Sequence, residues 1–366
     1  MTPKQREALA AYEQYGTERK AAKALGVPRS TFKCHLTAAR RWADMPEGVS
    51  GALHDTGMTD PNALHSGWLK TETASVYFKM PQQDAAITAA EEIRDIFNEL
   101  TPCPPIQPLD VSHDDTLTIY PVFDAHIGMK SWGKETGEDY DTDIAKRRIV
   151  DGMNKCVASA PASEEAIVLV GGDLLHANDG TNMTPASGHV LDVDTRHMHT
   201  LDIAIEALAA AIELAAQKHK NVTVSVIPGN HDRDAYLSVL FALGERYRNV
   251  RTIDVQRKPG DFFVYEFGKV MIAAHHGDKA KAERLVMHMA DEWAPMWGRT
   301  RHRYYFTGHL HHLKMLDVGG VQVEQLRAVT ARDAYAASHA YSSRSQMQAI
   351  TYDRDAGEIS RVKVSL

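Results

Sequence analysis

The run Asn221-Val-Thr-Val-Ser-Val-Ile227 leads directly into Pro228-Gly229-Asn230-His231-Asp232, and this stretch constrains the chain more than any other. Seven residues rich in β-branched side chains with no charge among them read as a buried strand. A turn after such a strand needs one Gly or Asn for its backbone. It does not need an amide, an imidazole and a carboxylate in succession. The carboxyl end of a strand is where open α/β sheets place their sites, so the stretch points to an α/β fold with chemistry at a strand end.

The pattern repeats. Leu117 to Phe123 reads as a strand ending in Asp124-Ala-His126-Ile-Gly128, and Ala166 to Val170 as one ending in Gly171-Gly172-Asp173-Leu-Leu-His176. Val270 to Ala274, paired with Phe262 to Phe267, ends in His275-His276-Gly277; Arg303 to Phe306 ends in Gly308-His309-Leu310-His311. Helices are expected over Asp143 to Ala158, Thr200 to His219, Ala235 to Tyr247 and Lys279 to Trp293. Val321 to Leu326 and two tail strands, Met347 to Tyr352 and Ile359 to Val364, are expected to close the sheet, giving an α/β pattern with a late antiparallel portion.

Taken singly, each strand end is weak. An Asp-x-His arises readily by chance, and a His-His pair means little in a chain with 19 histidines. Their joint occurrence, in order and each just past a strand, is what carries the reading. Imidazole and carboxylate suit Mn2+, Fe or Zn2+, and the three widely separated cysteines (Cys34, Cys103, Cys156) supply neither a disulfide frame nor a thiolate zinc site. A further cluster, Asp192, Asp194, His197 and His199, reads as loop and helix surface.

Residues from about 117 to 326 resemble the calcineurin-like metallophosphoesterases through these successive motifs. The resemblance implies a two-metal site on an αββα sandwich, with Asp124, His126 and His311 on the first ion. Asn230, His276 and His309 would hold the second, with Asp173 bridging both; His276, which directly precedes Gly277, is favoured over His275. His231 would act as general acid or transition-state donor, oriented by Asp232. Two divalent ions about 3.5–4 Å apart acidify a bridging water, neutralise phosphate oxygens and template in-line attack. Gly-Asp-Leu-Leu-His and Gly-Asn-His-Asp depart from the Gly-Asp-x-x-Asp-Arg-Gly and Gly-Asn-His-Glu of protein serine/threonine phosphatases. Asp124-Ala-His126-Ile-Gly128 and Gly171-Gly172-Asp173-Leu-Leu-His176 look like the DNA-repair nucleases of the SbcD type, which implies Mn2+ first among the metals, with Fe, Zn2+ or Mg2+ as alternatives, and an ATPase partner. No feature after residue 326 matches a nuclease capping domain.

Ahead of this domain, taken as 113–366, lies a basic head, residues 1–45. Residues 1–42 hold nine Lys and Arg against three Glu, a net of +6, which leaves −13 for the rest of a chain whose total is −7. Helices are expected over Pro3 to Tyr15, Glu18 to Leu25 after a Thr17 N-cap, and Arg29 to Trp42 after Pro28. Ala22, Gly26, Phe32 and Leu36 match helix-turn-helix spacing and resemble the small heads of phage and transposon proteins. In that arrangement Arg29, Ser30, Thr31 and Lys33 face a DNA groove and Arg40 and Arg41 the phosphates. The alternative is a packing module with a solvated charged face. Residues 46–112 are expected to form a linker, with a hairpin within Trp68 to Met80, a helix from Gln82 to Leu100 and a stiff Pro-rich stretch at 102–108.

No stretch is long and uncharged enough to span a membrane, since Leu201 to Ala216 contains Asp202, Glu206 and Glu213. With no signal-peptide core at the N-terminus, a cytoplasmic setting is expected. The leading expectation is a metal-dependent phosphodiesterase acting on DNA. A cyclic- or linear-nucleotide phosphodiesterase using the head for assembly and a non-catalytic DNA-binding protein remain as alternatives, and a homo-oligomer is left open.

Overall fold

The computed structural model describes residues 1–43, 66–70, 75–79, 103, 115–339 and 342–366. Two compact units divide the chain, Met1–Glu91 and Glu92–Leu366. In the first, α1 (Pro3–Tyr15), α2 (Glu18–Ala24) and α3 (Arg29–Ala43) form a three-helix packing. Thr2 and Gln5 close a capping box on α1, and the Thr17 side chain caps α2 by accepting from the Lys20 amide. Gly26 takes a left-handed backbone (φ 67°) between α2 and α3, and Ala21, Ala22, Phe32 and Leu36 are buried together. Beyond α3, β1 (Ser66–Lys70) and β2 (Ser75–Lys79) pair antiparallel. The helix expected over Gln82 to Leu100 lies outside the described residues, as does most of the Pro-rich stretch.

The second unit is built on two sheets. The first has the order β13-β12-β3-β4-β5-β6, with β3 (Thr116–Val122), β4 (Glu165–Gly171), β5 (Asn221–Ile227) and β6 (Ile253–Val255) parallel. The tail strands β12 (Gln346–Asp353) and β13 (Gly357–Ser365) join it antiparallel beside β3. The second sheet has the order β10-β11-β9-β8-β7, from β7 (Phe263–Phe267), β8 (Val270–Ala274), β9 (His302–Thr307), β10 (Lys314–Val318) and β11 (Val321–Gln325). One expectation is therefore corrected: β11 and the tail strands do not close one sheet but belong to different ones. β6 and β10 were not expected as strands.

Alternate side chains of the central strands explain the layering. Leu117, Ile119, Ile167 and Leu169 face Ile272, Ala274, Tyr304 and Phe306 across the gap between the sheets. Their neighbours Tyr120, Val122, Val168 and Val170 pack under α5 (Thr142–Ser159), α6 (His197–Ala216) and α7 (Tyr236–Tyr247), which follow α4 (Gly133–Thr136). On the far side, Met271, Ala273 and Tyr305 pack against α8 (Ala282–Glu292), with Trp293, Met296 and Trp297 around α9 (Ala294–Arg299) completing the layer. The order is helix, sheet, sheet, helix. Strands buried on both faces must be apolar throughout, which is why they read as continuous runs rather than alternating ones. Each fully buried Ile, Leu or Phe contributes roughly 1.5–3 kcal/mol. No described helix is long and apolar enough to cross a membrane.

Candidate metal centre

The five polar strand ends converge because their strands run parallel and stop together. After β3 and β4 the chain continues as two loops held side by side: the His126 amide donates to the Asp173 carbonyl (2.9 Å) and the Ile127 amide to the Leu174 carbonyl (2.8 Å). The loops after β8 and β9 are joined in the same way, with the Gly308 amide donating to the His276 carbonyl (2.8 Å). Asp124, His126, Asp173, His309 and His311 all take left-handed backbone conformations (φ 44–69°). Non-glycine residues rarely adopt them, so packing and hydrogen bonds hold the backbone there at a cost of about 1–3 kcal/mol each. Glycine is needed where the backbone meets these side chains: a Cβ at Gly229 would run into the Asp173 carboxylate, and one at Gly308 into that of Asp124.

Two donor sets gather the expected ligands, Asp124 with His126 and His311, and Asp173 with His276 and His309; a third group joins His126 to His176 and His231. Within the first, the His126 and His311 Nε2 atoms lie 3.3 Å apart; within the second, Asp173 Oδ2 lies 3.1 Å from His276 Nε2, and it reaches across to His126 Nε2 at 3.7 Å. Asp124 Oδ1 is 3.5 Å from His311 Nε2 and 3.9 Å from His276 Nε2. Asn230 Oδ1 reaches His276 Nε2 at 3.2 Å. All seven residues proposed as ligands from the sequence thus meet in one place. His275 turns the other way, against the Phe262 ring, and its Nδ1 accepts from the Gly277 amide (2.9 Å). Successive residues at a strand end face opposite sides, which separates the two histidines.

The electrostatics fit divalent cations. Asp124 and Asp173 are buried, and among the described residues the ion-pair partners of both are histidines alone, with no Lys or Arg. Buried carboxylates require compensating positive charge. Burial opposes protonation of His276, yet Asp173 and Asp124 raise it to about 10. Burial likewise opposes ionisation of Asp173, but His276 and then His126 hold its carboxyl well below the usual range. The cluster therefore asks for a cation, which a proton or a metal ion supplies. Convergent imidazole nitrogens and carboxylate oxygens without thiolates suit Mn2+, Fe or Zn2+. His276 Nδ1 donates to the Gly171 carbonyl (3.0 Å), which fixes the ring with Nε2 turned toward Asp173 and Asn230, the nitrogen that would serve as a ligand once a metal displaced its proton.

His231 stands beside the first set, its ring centroid 4.7 Å from that of His126. Its amide donates to Asp173 Oδ1 (2.8 Å) and its Nδ1 to the His176 carbonyl (2.8 Å). This corrects the role expected for Asp232. The Asp232 carboxylate accepts from the amides of Gly229 (2.7 Å) and Leu175 (3.1 Å), so it braces the loops and does not orient the His231 ring. Burial, reinforced by Asp173, raises Asp232 to about 6.

Sequence reasoning gave His176 no role. Its Nδ1 lies 3.2 Å from His126 Nδ1, its ring stacks on His231 (5.3 Å, 20°), and burial followed by the charge of His231 lowers it to about 3. It is the last residue of Gly171-Gly172-Asp173-Leu-Leu-His176, and that position after the strand was its one signal. Asp194 accepts from the amide (3.1 Å) and hydroxyl (2.8 Å) of Thr142, the first residue of α5, while Asp192 and His199 are exposed. In the head, Thr31 is exposed, Lys33 half-buried, and the Arg40 guanidinium lies 4.4 Å from the Tyr12 ring centroid. Arg29, Ser30 and Arg41 belong to α3, with side chains outside the described residues.

The chain is similar to several solved structures. A predicted phosphoesterase from Streptococcus pneumoniae is 12% identical, with a TM-score of 0.28 over 69% of this chain and 98% of its own. An archaeal phosphodiesterase is 12% identical, with a TM-score of 0.34 over 68% and 99%. Vacuolar protein sorting 29 from Cryptosporidium parvum is 12% identical, with a TM-score of 0.32 over 69% and 100%. Likenesses of this depth transfer no residue roles. No family model and no curated protein matches the sequence.

Proposed function

We propose that this chain is a metal-dependent phosphoester hydrolase that cleaves phosphodiester bonds, with DNA as its substrate. The observation that carries the reading is the pair of adjoining donor sets, with buried Asp173 within reach of a histidine from each. When bound, two divalent ions supply Lewis acidity and an acidified water nucleophile. The chain's own residues do the rest. Asp173 contributes shared negative charge between the sets, and the neutral amide of Asn230 adds a donor without adding charge. His231, fixed at Nδ1 by the His176 carbonyl, carries its second proton on Nε2 when protonated and gives it to the leaving oxygen. The buried walls of the cluster limit competing solvent.

DNA is favoured over a small nucleotide by the basic head, whose +6 charge suits a polyanion. The head's α2, Gly26 turn and α3 are read as a helix-turn-helix that binds DNA, and Mn2+ is the proposed ion. The test is cleavage of labelled single- and double-stranded DNA with Mn2+, beside bis(p-nitrophenyl) phosphate, with Asp173→Ala as the blank. DNA cleavage absent from the blank supports the whole reading. Turnover of the small diester alone would retain the phosphodiesterase and discard DNA.

A further inference from the structure

Trp132 is the most exposed Phe, Tyr or Trp side chain among the described residues, at 58%. It sits six residues beyond His126, on a loop whose base is buried and fully bonded. The Ser131 and Tyr140 backbones exchange two hydrogen bonds (2.9 and 3.0 Å). Ser131 Oγ meets Thr136 Oγ1 (2.8 Å) and donates to the Arg332 carbonyl (2.9 Å), and Arg332 returns a bond to the Thr136 carbonyl. Tyr140 then donates its hydroxyl to the carbonyl of Ala125 (2.6 Å), the residue between Asp124 and His126. The indole is therefore an exposed aromatic plane on a rigid frame tied to the donor cluster.

Its surroundings have a chemical sense. Lys134 Nζ lies 5.5 Å from the indole centroid, and no aromatic ring among the described residues stacks on it. Of the nearby acidic groups, Glu138 pairs with Arg148 and Asp139 accepts from the Gly133 amide (2.6 Å), while Glu135 is exposed beside Lys134. On the cluster's other loop, Leu310 is 57% exposed between His309 and His311. A substrate held here brings apolar, planar surface together with negative charge.

We propose that Trp132 stacks an unpaired nucleobase of a single-stranded DNA segment whose neighbouring phosphate occupies the donor cluster, with Lys134 facing the backbone. This rests on the phosphodiesterase reading. Bases in a duplex have both faces covered by their neighbours, so the platform selects single-stranded or frayed DNA.

The test compares wild type, Trp132→Ala and Trp132→Phe with Mn2+ on a labelled single strand, the matching duplex and bis(p-nitrophenyl) phosphate. Trp132→Ala is expected to raise KM for the single strand about tenfold, the worth of one stacked base, with kcat within about twofold. The duplex and the small diester should be unaffected, and Trp132→Phe should recover most of the loss. Fluorescence anisotropy of the single strand, with Lys33 and Arg40 neutralised in every chain to silence the head, reads the same contact without turnover. A tenfold weaker Kd for Trp132→Ala supports the platform. Equal KM and Kd for Trp132→Ala and its parent, or equal losses on duplex and single strand, would overturn it. Failure of wild type to hydrolyse the small diester sinks the phosphodiesterase reading instead, while the anisotropy comparison still decides the stacking.

Discussion

His231 and Asp173 are joined by one hydrogen bond, from the His231 amide to Asp173 Oδ1, yet their side chains face different tasks. Replacing His231 with Ala keeps that amide and every donor of the two sets. We expect His231→Ala to retain its metal content, read by elemental analysis, and to lose turnover of the small diester by about 10²–10⁴-fold. Asp173→Ala removes the carboxylate that faces histidines from both sets, and should lose metal as well as activity. Equal metal in the two variants would refute the division of roles. At this scale the sequence was readable where a polar side chain stands directly past a strand, as with Asn230 or His309, which the structure brings into the cluster. It was not readable where a carboxylate serves the backbone: the partners of Asp232, the amides of Gly229 and Leu175, meet only after two loops from different strands have packed.

Elements were legible in proportion to their burial. β3, β4, β5 and β8 are covered on both faces, so burial forces continuous apolar runs, and their positions followed from residue type. β6 spans only Ile253–Val255 with Asp254 exposed, and β10 is mostly exposed, so neither carries such a run. Sheet membership was likewise hidden, because β11 pairs with β9 through register and not through any local signal. The second and third helices of the head were marked by Thr17 and Pro28, whereas the Thr2 cap on α1 was seen only in the structure. Neutralising Arg29, Lys33, Arg40 and Arg41 should weaken DNA binding and flatten its salt dependence, each lost phosphate contact reducing the slope by about 1. Hydrolysis of bis(p-nitrophenyl) phosphate should be unchanged. A parallel fall in both activities would place these residues in the hydrolytic machinery.

Across the whole molecule, two buried polar sets tie the layers. Glu324 on β11 is fully buried and accepts from Arg361 on β13 (2.7 Å) and Gln348 on β12 (3.1 Å), linking the two sheets. Arg361→Met would strand that carboxylate, at an expected cost of roughly 3–5 kcal/mol in urea unfolding. At the opposite strand ends from the cluster, buried His219 bonds Tyr120 (2.7 Å) and Ser163 (2.7 Å). Burial holds it down at about 4, against 6.5 in the unfolded chain. The unfolded state therefore binds the extra proton, and this stability, present above pH 6.5, is lost as pH falls toward 4. At about 1.4 kcal/mol per unit the loss approaches 3 kcal/mol. A His219→Gln chain should show a shallower decline of its thermal midpoint over that window; an identical decline would exclude His219 as a source. The donor cluster draws on residues from Asp124 to His311, 187 positions apart. At ordinary synthesis rates roughly 10–40 s separate their emergence from the ribosome. A growing chain thus carries its basic head long before its donor cluster is complete, so on the proposed function a truncated product that stops short of His311 is expected to bind nucleic acid without cleaving it.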